Sequence, residues 1–268
     1  MWRQSKVAVV VPAYREMHLL PKTLETMPDY VDQVVVVDDG SPDDTYGVAC
    51  DCADGDPRVE VVRLGFNYGV GRAISVGYRR ALQGGADVVA VMAADAQMDP
   101  DDLRTVLAPV VGGSADYSKG DRLAHREAQR MPPMRRLGTR VLAWMTGVVA
   151  GHPNIRDSQC GYTAISAPML RRLPLDELYP RYGYPNDMLI RLILRDARIA
   201  QPVVRPIYGE EISGLKISAV VGPITGILLN GLIRRLGSHP DEYGNSGIEK
   251  TRRVKRRAVE PSAAGYYE

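Results

Sequence analysis

The chain has 268 residues, 45% hydrophobic and 25% charged, with 34 basic against 32 acidic side chains and a formal net charge of +2. That length suits one globular domain with a full core, and the composition excludes disordered, collagen-like and disulfide-scaffold classes. So small a net charge provides no field to draw nucleic acid, and any basic function must be local.

The elements follow in chain order. Four β-branched apolar runs, at 7–11, 34–37, 59–62 and 88–92, read as buried parallel strands. Between them the spacing predicts helices over 16–27, 43–53 and 70–82, the second opened by Ser41-Pro42 and the third closed by Gly84-Gly85. Strands and helices alternating in this way build a doubly wound α/β sheet. A helix over 101–111 leads to a short strand around Tyr117, a basic Met- and Pro-containing stretch over 122–136, and a helix over 137–150. Further helices are expected over 186–195 and 215–235, with a strand over 199–207 between them. The apolar segment 217–233 is broken by Gly222, Pro223, Gly226 and Asn230 and falls short of the ~20 residues of a membrane span. Past Gly237 the pattern dissolves into polar residues and a basic cluster at 252–257, so a domain over 1–236 with a flexible basic tail over 237–268 is expected. Cys50, Cys52 and Cys160 lack metal spacing and read as reduced thiols, and the start of the chain has no signal-peptide pattern, so a cytoplasmic location is expected.

Ligands of open α/β sheets sit beyond the carboxyl ends of the strands. Three of those ends carry chemistry: Pro12-Ala13-Tyr14-Arg15-Glu16, Asp38-Asp39-Gly40-Ser41, and Ala93-Ala94-Asp95-Ala96-Gln97. The Gly-x-Gly-x-x-Gly of a dehydrogenase is absent after the first strand. Asp38-Asp39-Gly40-Ser41 alone is equally an Asp-capped turn. Parallel neighbours, however, bring Asp38, Asp39 and Asp95 to one edge, where like charges cost energy unless a cation or a donor-rich ligand lies among them. A divalent ion with a nucleoside diphosphate fits that edge.

Taken together, these segments resemble the inverting family 2 glycosyltransferases of GT-A fold, a Rossmann-like, mixed and mainly parallel sheet flanked by helices. Within that family the resemblance is to the branch of dolichyl-phosphate mannose synthases and bacterial polyprenyl-phosphate glycosyltransferases. It runs in order from Val7 to Arg235, through Pro12 to Glu16, Asp38 to Ser41, Asn67-Tyr68-Gly69-Val70-Gly71, Asp95-Ala96-Gln97, Lys119-Gly120-Asp121-Arg122 and Asp157 to Tyr162. Ala93 departs from the usual Asp-x-Asp of that branch, and Arg15 from its usual Asn.

The resemblance implies roles for particular residues. Pro12, Tyr14 and Glu16 would line the base and ribose pocket, with Asp38 or Asp39 accepting from the base, which leaves UDP and GDP sugars both open. Asp95, with Gln97, would hold Mg²⁺ or Mn²⁺ against the leaving diphosphate, and Lys216 would reach the same diphosphate. Lys119 and Arg122 would hold the phosphate of a polyprenyl phosphate, with peripheral contact at the cytoplasmic face of the membrane and a hexose as the transferred group. Asp187 is a first-turn helical acid that would position groups for a phosphate acceptor or act as base for a hydroxyl acceptor. Two rivals remain: transfer to a sugar or small-molecule hydroxyl with Asp187 as base, and a nucleotide-sugar-binding subunit that has lost catalysis.

Overall fold

The computed structural model describes residues 1–207 and 217–237. Valine runs build the first half of its sheet. β1 (Val7–Ala13), β2 (Gln33–Asp38), β3 (Val59–Arg63) and β4 (Val88–Val91) pair in parallel in the order β3-β2-β1-β4. Most of β1, β2 and β4 is buried, because helices cover both faces. Strands shielded on both faces read as unbroken apolar runs rather than as alternation. The crossovers are α1 (Leu20–Glu25), α2 (Thr45–Gly55) and α3 (Val70–Gln83). Alternate residues of β1 feed two cores: Val7, Val9 and Val11 pack with Leu20, Leu103 and Leu107, and Ala8 and Val10 with Tyr78, Met188 and Leu189.

The second half is mixed. A 3₁₀ turn (Pro100–Asp102), capped by Asp99, leads into α4 (Leu103–Val111), followed by β5 (Tyr117–Lys119) and α5 (Pro133–Ala150). Then come β6 (Thr163–Ser166), α6 (Ala167–Arg171), α7 (Tyr184–Ile193), β7 (Ile199–Ala200) and α8 (Ile217–Gly237). β6 runs antiparallel between β4 and β5, with Thr163 opposite both Val91 and Lys119. Consequently the carboxyl ends of β1, β2, β4 and β5 and the start of β6 share one edge of the sheet, and the functional segments gather there.

Several elements differ from expectation. The helix expected from residue 137 starts at Pro133, a residue suited to the first turn, so part of the basic stretch is helical. The strand expected over 199–207 keeps two residues and continues as isolated bridges at Val203 and Pro206, because Pro202 and Pro206 cannot donate to a ladder. β6 and α6 had no counterpart in the reading of the sequence. α5 and α8 pack together and leave Met134, Leu137, Trp144 and Leu236 exposed. Among the described residues, no helix is long and apolar enough to cross a membrane. Lys216 and most of the expected tail lie outside the described residues.

Candidate active site

The ends of β1 and β2 open onto a cavity of 380 Å³ whose lining includes Pro12, Tyr14, Asp39, Gly69, Arg181 and Tyr182. Asp39 is buried, and its two carboxylate oxygens accept the Tyr68 and Gly69 amides at 2.9 and 2.8 Å. It therefore folds the loop after β3 against the end of β2. Burial pushes its pKa up, against the lowering effect of those amides and of the Arg181 charge. Asp38 is fully buried and belongs to the turn. Its Oδ1 accepts the Ser41 amide at 3.0 Å, its Oδ2 lies 3.5 Å from Arg63 Nε, and it does not line the cavity. Glu16 is also outside the lining; its amide donates to Thr45 Oγ1 at 2.9 Å.

Gly69 and Gly71 admit a second segment. Gly69 has φ +102°, and a Cβ there would fall 2.5 Å from the Pro180 carbonyl oxygen; at Gly71 it would fall 2.2 Å from that of Tyr179. The Pro180 carbonyl accepts the Gly71 and Arg72 amides at 2.8 and 3.2 Å. The N-terminus of α3 is thus satisfied by backbone, and Arg181 and Tyr182 are delivered to the cavity wall.

Past β4, Asp95 Oδ1 accepts the Gln97 amide at 3.0 Å, and Ala96 takes the left-handed conformation. Thr23 Oγ1 donates to the Ala94 carbonyl at 3.2 Å and fixes this loop to α1. Among the described residues, no group of three or more His, Cys, Asp or Glu side chains gathers as a metal cluster. One half-buried carboxylate with an amide neighbour still suits Mg²⁺, which keeps waters and takes substrate phosphates alongside one or two carboxylates.

Lys119 and Arg122 are spent internally. Lys119 is 1% exposed, its Nζ donates to the Cys160 carbonyl, and burial pushes its pKa down to about 8. Arg122 grips Asp157 through Nε and Nη2 at 2.8 and 3.1 Å. Burial alone would raise the Asp157 pKa, but the Arg122 and Lys119 charges, with the hydrogen bonds it accepts, hold it low. Asp157 also accepts the Gln159 and Cys160 amides at 3.0 and 3.1 Å, so the pair organises the loop leading into β6. From that loop Gln159 Nε2 donates to Asn186 Oδ1, and Asn186 Nδ2 donates to Thr146 Oγ1 at 2.6 Å. Asp187 accepts the Tyr179 amide at 2.9 Å, and its Oδ1 and Oδ2 share Arg191 Nε at 3.0 and 2.9 Å. It stands beside the segment that carries Arg181 and Tyr182. Those two residues were missed as site candidates; nothing in the local pattern marks them, since their place depends on the packing of Pro180 against α3.

Residues 8–172 match glycosyl transferase family 2. The chain belongs to that family. An undecaprenyl-phosphate mannosyltransferase of Micrococcus luteus is 32% identical over 244 residues, covering 87% of this chain and 99% of the relative. A UDP-N-acetylglucosamine–dolichyl-phosphate N-acetylglucosaminyltransferase of Methanococcus voltae is 27% identical over 76% of this chain and 86% of its own length. Among solved structures, glucosyl-3-phosphoglycerate synthase of Mycobacterium tuberculosis with UDP superposes with a TM-score of 0.64 at 22% identity, covering 85% of this chain and 80% of the synthase. The fold is therefore GT-A, and the family 2 chain is a glycosyltransferase.

The expectation of a polyprenyl-phosphate acceptor with membrane contact is corrected. The two cations assigned to the lipid phosphate are engaged inside the protein by the Cys160 carbonyl and Asp157. A solved structure of this fold, that of the synthase, holds phosphoglyceric acid.

Proposed function

We propose that this family 2 glycosyltransferase moves a hexosyl group from a nucleoside-diphosphate sugar to the hydroxyl of a small-molecule acceptor. The observation that carries this reading is the internal engagement of Lys119 and Arg122, while the Asp187 carboxylate stands at the start of α7 beside the cavity segment. Tyr14 and Asp39 contact the nucleoside, and Pro12 shapes the wall of its cavity. Asp187 takes the proton of the acceptor hydroxyl as its oxygen attacks the anomeric carbon, and the Tyr179 amide and Arg191 fix the orientation of that carboxylate. Asp95, with Gln97, would hold a divalent ion. Structures of the synthase contain Mn²⁺ or Mg²⁺ with UDP, and such an ion supplies neutralising charge to the leaving diphosphate.

The test assays UDP- and GDP-hexoses with Mg²⁺ or Mn²⁺ against a panel of soluble hydroxyl acceptors and against extracted polyprenyl phosphate. Transfer to a soluble acceptor is expected, and Asp187→Asn should lower kcat about 10²- to 10⁴-fold with KM for the donor little changed. Transfer to polyprenyl phosphate alone, as the names of the two curated relatives would have it, defeats this reading.

A further inference from the structure

Arg181 has no ion-pair partner among the described residues, although it is an exposed arginine on the wall of a cavity that also contains Asp39. Other arginines are engaged: Arg63 with Asp38, Arg72 and Arg79 with Asp176, Arg122 with Asp157 and Arg191 with Asp187, while Arg15 lies over the Tyr14 ring. Arg181 is also held in place. A Cβ on Gly69 would strike its Cγ at 2.7 Å, so its carbon stem lies along that glycine. The Pro180 carbonyl before it is bonded to α3, and its own carbonyl accepts the Tyr184 amide at 2.9 Å. Its charge acts on Asp39 without forming an ion pair with it, so a guanidinium fixed at its stem keeps its donors open to an anion.

We propose that Arg181 binds the diphosphate of the donor in this cavity, independently of any metal ion. This rests on the nucleotide-sugar reading above and adds a residue to it. The electrostatic argument comes from the segment after β4, where Ala93 leaves Asp95 as the one carboxylate of Ala93-Ala94-Asp95-Ala96-Gln97. A diphosphate carries at least two negative charges beside Asp39, so a second source of positive charge lowers the cost of bringing it there. Planar, two-pronged donation to phosphate oxygens is what a guanidinium does and an ammonium does not.

Isothermal titration of the full chain with UDP, GDP, uridine and guanosine, in EDTA and again in Mg²⁺, tests the assignment. In EDTA the wild type should bind one diphosphate more tightly than its parent nucleoside. Arg181→Gln should weaken that diphosphate by about tenfold or more, leave the nucleoside unchanged and flatten the salt dependence, while Arg181→Lys should restore part of the loss. A variant that binds the diphosphate like wild type overturns the inference. Equal loss of diphosphate and nucleoside also overturns it, because Arg181 would then be stacking on the base. Wild type that binds neither diphosphate with or without Mg²⁺ defeats the donor reading itself, a result distinct from an indifferent variant.

Discussion

Arg15 holds a left-handed backbone conformation, φ +61°, with its amide bonded to Ser41 Oγ at 3.1 Å and its guanidinium 5.5 Å from the centre of the Tyr14 ring. The backbone explains why an Asn suits this position in the resembled branch, since Asn visits that conformation readily. Here a bulkier residue bears the strain and covers the ring that lines the cavity. At Asp95 a single carboxylate, its Oδ1 accepting the Gln97 amide, stands where the resembled branch has a pair, and it is the group proposed above to hold the divalent ion. Asp95→Asn should therefore remove the metal-stimulated part of turnover, about a hundredfold or more, while nucleoside diphosphate still binds in EDTA. Steady-state rates over a Mg²⁺ series read this directly, and an undiminished metal response would remove Asp95 from the site.

At the scale of elements, the close contact of the Tyr179 to Arg181 segment with the N-terminus of α3 makes two glycines unequal. Gly71→Ala would press a Cβ to 2.2 Å from the Tyr179 carbonyl oxygen, whereas a Cβ on Gly55, at the end of α2, meets nothing within 4 Å. Gly71→Ala should cost about 1–3 kcal/mol and weaken nucleotide binding by displacing the wall that carries Arg181. Gly55→Ala should be neutral or stabilising by up to about 1 kcal/mol. Urea midpoints of both variants decide the matter, and equal midpoints would mean that the segment yields freely. The same contrast marks how far the sequence could be read. β1, β2 and β4 were legible because burial on both faces writes itself as valine runs. β6 was not, because Thr163 to Ser166 is a four-residue strand whose neighbours come from two distant parts of the chain. In the candidate site, Asp39 and Asp95 were visible as strand-end carboxylates, but the partners that consume Lys119 and Arg122 lie 41 and 35 residues away. Whether a cation faces a ligand or the protein is a property of packing, and periodicity carries no trace of it.

Over the whole molecule, the buried ionisable groups predict an alkaline stability profile of definite shape. Below its folded pKa of about 8, Lys119 is protonated in both states. Above that value the folded protein releases the proton while the unfolded lysine, with a pKa of about 10.4, retains it, so stability rises with pH. One such group contributes about 1 kcal/mol between roughly pH 8 and 9. Cys160 works in the opposite direction: burial pushes its thiol up, so the unfolded thiol ionises first, from about pH 8.5. Buried Tyr78, raised to about 12, and Tyr117, Tyr162 and Tyr184, all raised by burial, add the same penalty above about pH 10. On the acid side, Asp157 has a folded pKa below its unfolded value, so its contribution is complete above about pH 4 and is lost as pH falls through the lowered value. Urea unfolding midpoints at constant ionic strength should therefore climb from pH 7.5, peak near pH 9 and fall beyond it. In Lys119→Met, which fills the same buried site without a charge, the climb should vanish while the alkaline fall remains. A wild-type curve that is flat or falling from pH 7.5 to 9, or the same climb in the Met variant, would show that Lys119 stays protonated in the fold, held by the Cys160 carbonyl and the Asp157 charge.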